Sequence, residues 1–198
     1  MKNIFKILLI SSLFTGILSS CDDKTDLPYV DNPTFKEDFE TNFPNWVKYS
    51  EVGAQVWTLD PTFGNPYPGA CAKMSGYSGA NNANVDWLIS PVQDMSGYSS
   101  AQISFDNAYK FDGPVIELYV SRNYSGSGDP NASGVTWTKI NGANLSPGNY
   151  SYVNSGKLDM SAFAGSGNEA VYVAFKYTST TSASSTWEID NVKIYGIN

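Results

Sequence analysis

The sequence predicts an all-β protein, a two-sheet antiparallel β-sandwich preceded by a signal peptide and a short linker. Three observations predict it. From Phe35 onward no stretch carries helical periodicity. In its place stand short runs rich in β-branched and aromatic residues, separated by clusters of Gly, Pro, Asn and Ser. Several of these runs alternate apolar and polar residues, the pattern of a sheet with one face buried.

The chain has 198 residues, of which 41% are hydrophobic and 16% charged, so it makes one ordinary domain or one domain plus a tail. Its 13 Tyr, 10 Phe and 5 Trp exclude a disordered acidic chain. A formal net charge of -7 argues against nucleic-acid binding, which needs a clustered basic footprint. There are no histidines, which removes Ser-His-Asp and Cys-His schemes, His-ligated zinc and the commonest general base.

Residues 1–20 read as an address. Lys2 and Lys6 precede an apolar stretch from Ile7 to Leu18 that is too short to read first as a membrane span. Leu18-Ser19-Ser20-Cys21 resembles a lipobox, which implies that Cys21 is the lipid-modified first residue of the mature protein. Several acyl chains anchor stably, because each buried CH₂ contributes about 0.8 kcal/mol. Asp22, Asp23 and Lys24 follow, and acidic residues there resemble the surface-export signal of Bacteroidota lipoproteins. The expected location is therefore the outer membrane, lipid-anchored, on its extracellular face, with membrane contact through the N-terminal lipid only. Residues 21–33 read as a flexible tether, and residues 34–198 as the sandwich domain. Cys71 lies among small and apolar residues and reads as a buried hydrophobe, since no His exists to activate it.

The expected strands are Phe35–Glu40, Gln55–Leu59, Ala70–Met74, Asp86–Ser90, Gln102–Tyr109, Val115–Ser121, Val135–Ile140, Tyr150–Leu158, Ala170–Thr178 and Thr186–Tyr195. Ile116, Leu118 and Val120 share one face of their run; Glu117 and Tyr119 share the other. Val171, Val173, Phe175 and Tyr177 likewise oppose Tyr172, Ala174 and Lys176. Trp87 and Ile89 share a face that reads as buried, and Asp86 is placed to cap a turn or to approach an ion. Asn123–Asn131, rich in Gly and Ser with Asp129 as its one acid, reads as a loop, and Ser179–Ser185 as a polar turn.

Four motifs, taken together and in order, carry a resemblance: Phe35-Lys36-Glu37-Asp38-Phe39-Glu40, Asp86-Trp87-Leu88-Ile89-Ser90-Pro91, Val120 through Pro130, and Trp187-Glu188-Ile189-Asp190-Asn191-Val192. They resemble the choice-of-anchor J domains of bacterial surface proteins, the related cleaved-adhesin (gingipain-type) modules and, distantly, MAM domains. The resemblance implies a jelly-roll sandwich of the galactose-binding or MAM-like kind and implies no catalytic activity. It also implies a structural Ca2+ held by Glu40 and Asp190, with Asp60 as a weaker third ligand. Carboxylates that converge on neighbouring strands repel unless a cation lies between them, and calcium takes about six to eight oxygen ligands. The alternative is that Glu40 and Asp190 are solvated or bond turn amides. The Asp-His pair and cysteines of MAM domains are missing here.

Three functions remain open at this level. The first is a surface module binding a glycan or another cell-surface ligand, with Tyr109, Tyr119 and Tyr172 on a non-core sheet face as candidate platforms and Tyr67, Tyr124 and Tyr150 in loops. The second is an adhesion or accessory protein that binds a protein partner. The third, ranked last, is a glycan-processing enzyme, for which Glu117, Glu188 and Asp106 are the available acids.

Overall fold

The computed structural model describes residues 32–198. The leader, Cys21 and all but the last residues of the tether lie outside the described residues. The strands are β1 (Phe35–Glu37), β2 (Val47–Val52), β3 (Thr58–Asp60), β4 (Cys71–Ser75), β5 (Asn84–Ile89), β6 (Ser100–Lys110), β7 (Glu117–Ser121), β8 (Thr138–Ile140), β9 (Val153–Asn154), β10 (Leu158–Asp159), β11 (Tyr172–Ser179) and β12 (Thr186–Ile197). They form two antiparallel sheets. The larger has seven strands along the path β10-β6-β12-β4-β3, with β1 added to β12 and β9 to β6; the smaller has five in the order β2-β5-β11-β7-β8.

The alternation read from the sequence places the core between the sheets. Ala72, Met74, Ile103, Phe105, Trp187 and Ile189 of the larger sheet meet Leu88, Leu118, Val120, Val173, Phe175 and Tyr177 of the smaller. Phe105 and Phe175 meet edge to face across the gap, with ring centroids 4.9 Å apart. Each fully buried large side chain contributes roughly 1.5–3 kcal/mol against leaving it exposed.

β12 is the longest strand and pairs with three others. Its N-terminal half lies between β4 and β6; where β4 ends, β1 takes its place, pairing with Val192–Ile194. Between Asp190 and Lys193 the register with β6 shifts, and Asn191 adopts φ 47°. This irregularity reverses the parity of the strand. Trp187 and Ile189 face the core before it, and Val192 and Ile194 after it.

The strand runs differ from expectation where polar side chains bond the backbone. Tyr150–Leu158 is not one strand but β9 and β10, split at Ser155 and Gly156. The Ser155 hydroxyl accepts from the Phe105 amide, and Gly156 turns at φ 75°. Val135–Ile140 pairs only from Thr138, because Asn123 Oδ1 accepts from the Thr136 amide and Asn123 Nδ2 donates to the Gly134 carbonyl. β2 was not anticipated, since its Lys, Ser and Glu obscure the alternation of Val47 and Tyr49.

Asp86 neither caps a turn nor approaches the acidic cluster of the other sheet. It lies on β5 beside Leu88 in the strand's inward alternation, and it is buried with no hydrogen-bond partner for either carboxylate oxygen. The Ser50 hydroxyl, across the β2–β5 pairing, is turned to the carbonyls of Val52 and Gly53 and offers only partial relief. Burial therefore pushes the Asp86 carboxyl up to about 6. A folded-state pKa above the ordinary carboxylate value means that the native state prefers the protonated acid. Its stability contribution is complete below about pH 4 and is lost as pH rises through about 6. At pH 8 the ionised group costs the folded state up to about 3 kcal/mol. Asp86→Asn is therefore expected to unfold at a higher urea midpoint than the natural chain at pH 8 and at nearly the same midpoint at pH 4. A pH-independent difference between the two proteins would contradict this account.

Candidate functional site

The outward alternation of the larger sheet carries polar residues. Lys73 of β4, Ala108 of β6 and Glu188 of β12 stand in register, and Asp190 stands opposite Asp106 one step along. Two loops lie across this face. The first, residues 61–70, is closed by Gly64 N–H donating to the Gly69 carbonyl at 2.7 Å and Gly69 N–H to Thr62 at 3.3 Å. The second, residues 141–152, starts at the core edge, where buried Asn107, on the inward alternation of β6, donates to the carbonyls of Asn144 and Val153 and accepts from Ser146 N–H at 2.8 Å, and it reaches the outward face at Tyr150 and Tyr152. Tyr150 N–H then bonds the Tyr109 carbonyl at 2.9 Å.

Between the loops lies a cavity of about 310 Å³, lined by Phe63, Gly64, Tyr67, Lys73, Tyr150, Tyr152 and Glu188. Phe63 and Tyr67 stack at 6.3 Å with 23° between their planes. Glu188 is 2% exposed and its Oε2 has no hydrogen-bond partner; the buried Tyr152 hydroxyl has only the Cys71 thiol, a weak partner, beside it. Lys73 is committed elsewhere, since its Nζ lies 2.8 Å from Asp60 Oδ2. Burial pushes the Glu188 carboxyl up to about 7; Lys73 opposes this and Asp60 adds to it. Burial also pushes the Cys71 thiol up to about 12, which leaves it inert as a nucleophile.

A second cavity, of about 500 Å³, adjoins the first and is lined by Tyr77, Asn81, Phe111, Asp112 and the 182–184 turn. The two meet where Tyr150 and Phe111 pack edge to face at 6.3 Å, with the Lys110 ammonium over both rings. Among the described residues five aromatic rings are exposed: Phe63, Tyr67, Tyr77, Phe111 and Tyr150. All five line this double groove. Tyr67 and Tyr150 were legible as loop tyrosines. Phe63, Tyr77, Phe111 and Tyr152 were not singled out, although each exposed one sits by turn-forming residues, as in Phe63-Gly64 and Phe111-Asp112-Gly113.

The expected ion ligands are partly brought together. Glu40 Oε1 accepts from Ala70 N–H at 3.3 Å, and Asp190 accepts from the amides of Asn65 at 2.7 Å and Asn191 at 2.6 Å. Both therefore hold the same loop. Burial pushes the Asp190 carboxyl up to about 7 against the pull of those two amides, and the Asp106 and Glu40 charges push it further the same way. Asp106 accepts from the side-chain amides of Asn65, Asn154 and Asn191. Gly69 completes the cradle: a Cβ there would lie 2.7 Å from both Glu40 Oε1 and the Pro66 carbonyl. Asp60 does not join this group. It bonds Lys73 and accepts from the amides of Thr62 and Phe63, and these partners outweigh burial and hold its carboxyl below the ordinary value. Among the described residues no three Cys, Asp or Glu side chains are grouped so as to hold a metal ion by themselves.

The tyrosines placed on a non-core face separate. Tyr109 is on the inner alternation of β6 and stacks on Trp187 at 4.7 Å, because it stands directly opposite that core residue. Tyr119 and Tyr172 do share the outer face of the smaller sheet, but the 122–137 segment folds over it. Tyr172 is 9% exposed beneath Tyr124, and Tyr119 donates to Glu117 while packing against Trp87. Trp137 closes the patch by packing on Trp87 and Tyr124 and donating to the Pro130 carbonyl. Glu117, paired with Lys139, lies on the opposite sheet from Glu188 and Asp106.

No curated protein matches the sequence. Among solved structures, the K1 cleaved adhesin domain of Lys-gingipain from Porphyromonas gingivalis W83 is similar at a TM-score of 0.55 and 16% identity, covering 83% of this chain and 98% of that one. The family 11 carbohydrate-binding module from Clostridium thermocellum, solved with a β-1,3-1,4-mixed-linked tetrasaccharide, gives 0.50 and 17%, covering 81% and 94%. The CBM22-1 xylan-binding domain of Paenibacillus barcinonensis Xyn10C gives 0.50 and 12%, covering 84% and 96%. At these identities the likeness shows a shared jelly-roll sandwich fold. In sequence, residues 67–198, which include most of the strands and every lining residue of the two cavities except Phe63 and Gly64, match the family described as Domain of unknown function (DUF5017), and the chain belongs to that family.

Proposed function

We propose that the domain is a non-catalytic binding module for a glycan, held at the outer face of the outer membrane by a lipid on Cys21, and that the double groove seats the sugar chain. One observation carries this reading: all five exposed aromatic rings of the described residues line two adjoining cavities. Exposed rings offer flat apolar faces to pyranose C–H groups, and the few polar groups between them fix the orientation of the hydroxyls. The fold is shared with modules described as binding a tetrasaccharide and xylan. The kinship with choice-of-anchor J domains, read from the four motifs, belongs to the same proposal. Against hydrolysis, Glu117 is remote from Glu188, and Asp106 is occupied by three amides.

The test is a glycan array probed with the full chain in detergent, followed by titration of the hits. Phe63→Ala and Tyr150→Ala are each expected to weaken binding about five- to tenfold, the worth of one ring contact. Capture of a protein partner with no glycan hit would replace this reading with adhesion to protein.

Calcium belongs to the proposal as a structural ion. The donors fit a hard cation in kind: the carboxylates of Glu40 and Asp190, and the Pro66 carbonyl beside Glu40 at Gly69. When bound it would offset the mutual repulsion of these acids and hold the 61–70 loop to β12. Added calcium is then expected to raise the melting temperature and EDTA to lower it, and an unchanged midpoint would exclude the ion. For the anchor, metabolic labelling with a fatty acid is expected to mark the natural chain but not Cys21→Ser, which should leave the membrane fraction. A label retained in Cys21→Ser would place the lipid elsewhere.

A further inference from the structure

We infer that the smaller cavity of the groove is selective for a protonated amine, so that the sugar unit seated there is an amino sugar with a free amino group. The inference rests on the glycan reading only for the identity of the carrier; the amine itself is argued from the cavity. Glu188 forms its floor, is 2% exposed, and leaves Oε2 with no partner. Lys73, the one ammonium among the described residues that lines this cavity, is held 2.8 Å from Asp60 Oδ2, so its charge is shared with that acid and offsets the Glu188 carboxylate only in part. A buried carboxylate without a full counter-charge is expensive, and a ligand that supplies one gains what the empty site loses.

The walls favour the same ligand. An ionised carboxylate only accepts, whereas an ammonium carries three donors to give it. Phe63, Tyr67, Tyr150 and Tyr152 surround the space, and the negative face of an aromatic ring attracts a cation most strongly where water is excluded. The protein already uses one of these rings in this way: the Lys110 ammonium lies 5.6 Å from the centroid of Tyr150. A sugar hydroxyl could donate to Glu188 but would leave its charge buried and only partly balanced. An N-acetyl group brings a single amide donor and no charge.

The experiment titrates the full chain in detergent with three tetrasaccharides: the β-1,4 tetramer of glucosamine, the same tetramer fully N-acetylated, and cellotetraose. Butylammonium chloride serves as a sugar-free amine. The glucosamine tetramer is expected to bind about tenfold or more tightly than either neutral tetramer. Glu188→Gln, which keeps the side-chain volume, is expected to abolish that preference while leaving the neutral tetramers unchanged. Glu169→Gln, at an exposed acid outside both cavities, is expected to leave the preference intact, which separates the cavity from general attraction to an acidic protein. Equal binding of the three tetramers, or a preference that survives Glu188→Gln, overturns the amine inference and leaves the glycan reading standing. Saturable binding of butylammonium, lost in Glu188→Gln, without binding of any sugar in this series or on the array supports the amine cavity and overturns the glycan reading. Absence of binding by both the glucosamine tetramer and butylammonium overturns the inference.

Discussion

The last strand runs through the middle of the larger sheet, and its alternation divides the molecule. Trp187 and Ile189 turn inward to the core, while Glu188 and Asp190 turn outward beneath two loops. Burying one face of the strand obliges the other to carry what remains, and here that is two acids. The irregularity after Asp190 then restores core contact through Val192 and Ile194. It also turns Asn191 so that its amide reaches the Asn65 carbonyl at 2.6 Å and Asp106 at 3.0 Å. The loop that walls the smaller cavity is thus tied to the same strand that supplies the cavity floor.

Four acids on or beside this sheet meet different fates, decided by their partners. Asp60 has Lys73 and two amides and is satisfied. Asp106 is surrounded by three side-chain amides. Asp190 has two backbone amides but also two like charges nearby, and Glu188 has no hydrogen-bond partner on Oε2. Unsatisfied buried charge is rare because it lowers stability, so its position beneath exposed rings points to a role in binding. Asp86, unsatisfied inside the core and lining neither cavity of the groove, is the contrasting case: its charge weakens the fold at neutral pH.

The two sheets treat their outer faces differently. On the smaller sheet the 122–137 segment spreads over Trp87, Tyr119 and Tyr172 and seals them in a second apolar cluster. Asn123 and Trp137 shape the segment through hydrogen bonds to its own Gly134 and Pro130 carbonyls, and Asn131 fastens it to Glu51 of β2. On the larger sheet the covering loops stand apart and leave the smaller cavity between them, and the larger cavity is lined by other turns, at Tyr77, Phe111 and 182–184. The ring platform expected on a strand face is therefore internal packing, and the exposed rings sit on loops instead.

From the sequence alone came the all-β class, the inward residues of the middle and last strands, and the buried Cys71. These follow from local periodicity and short motifs, because the side chains of a strand alternate whatever the strand pairs with. The separation of Tyr109 from Tyr119 and Tyr172, the commitment of Asp60 to Lys73, the burial of Asp86 and the unbonded Oε2 of Glu188 were decided by the tertiary structure. Each depends on which residue stands opposite across a sheet or beneath a loop. Glu188 meets Lys73 across 115 positions of sequence, and Asn65 meets Asp190 across 125. Periodicity determines which face a side chain takes, but only the pairing of distant segments determines what shares that face with it.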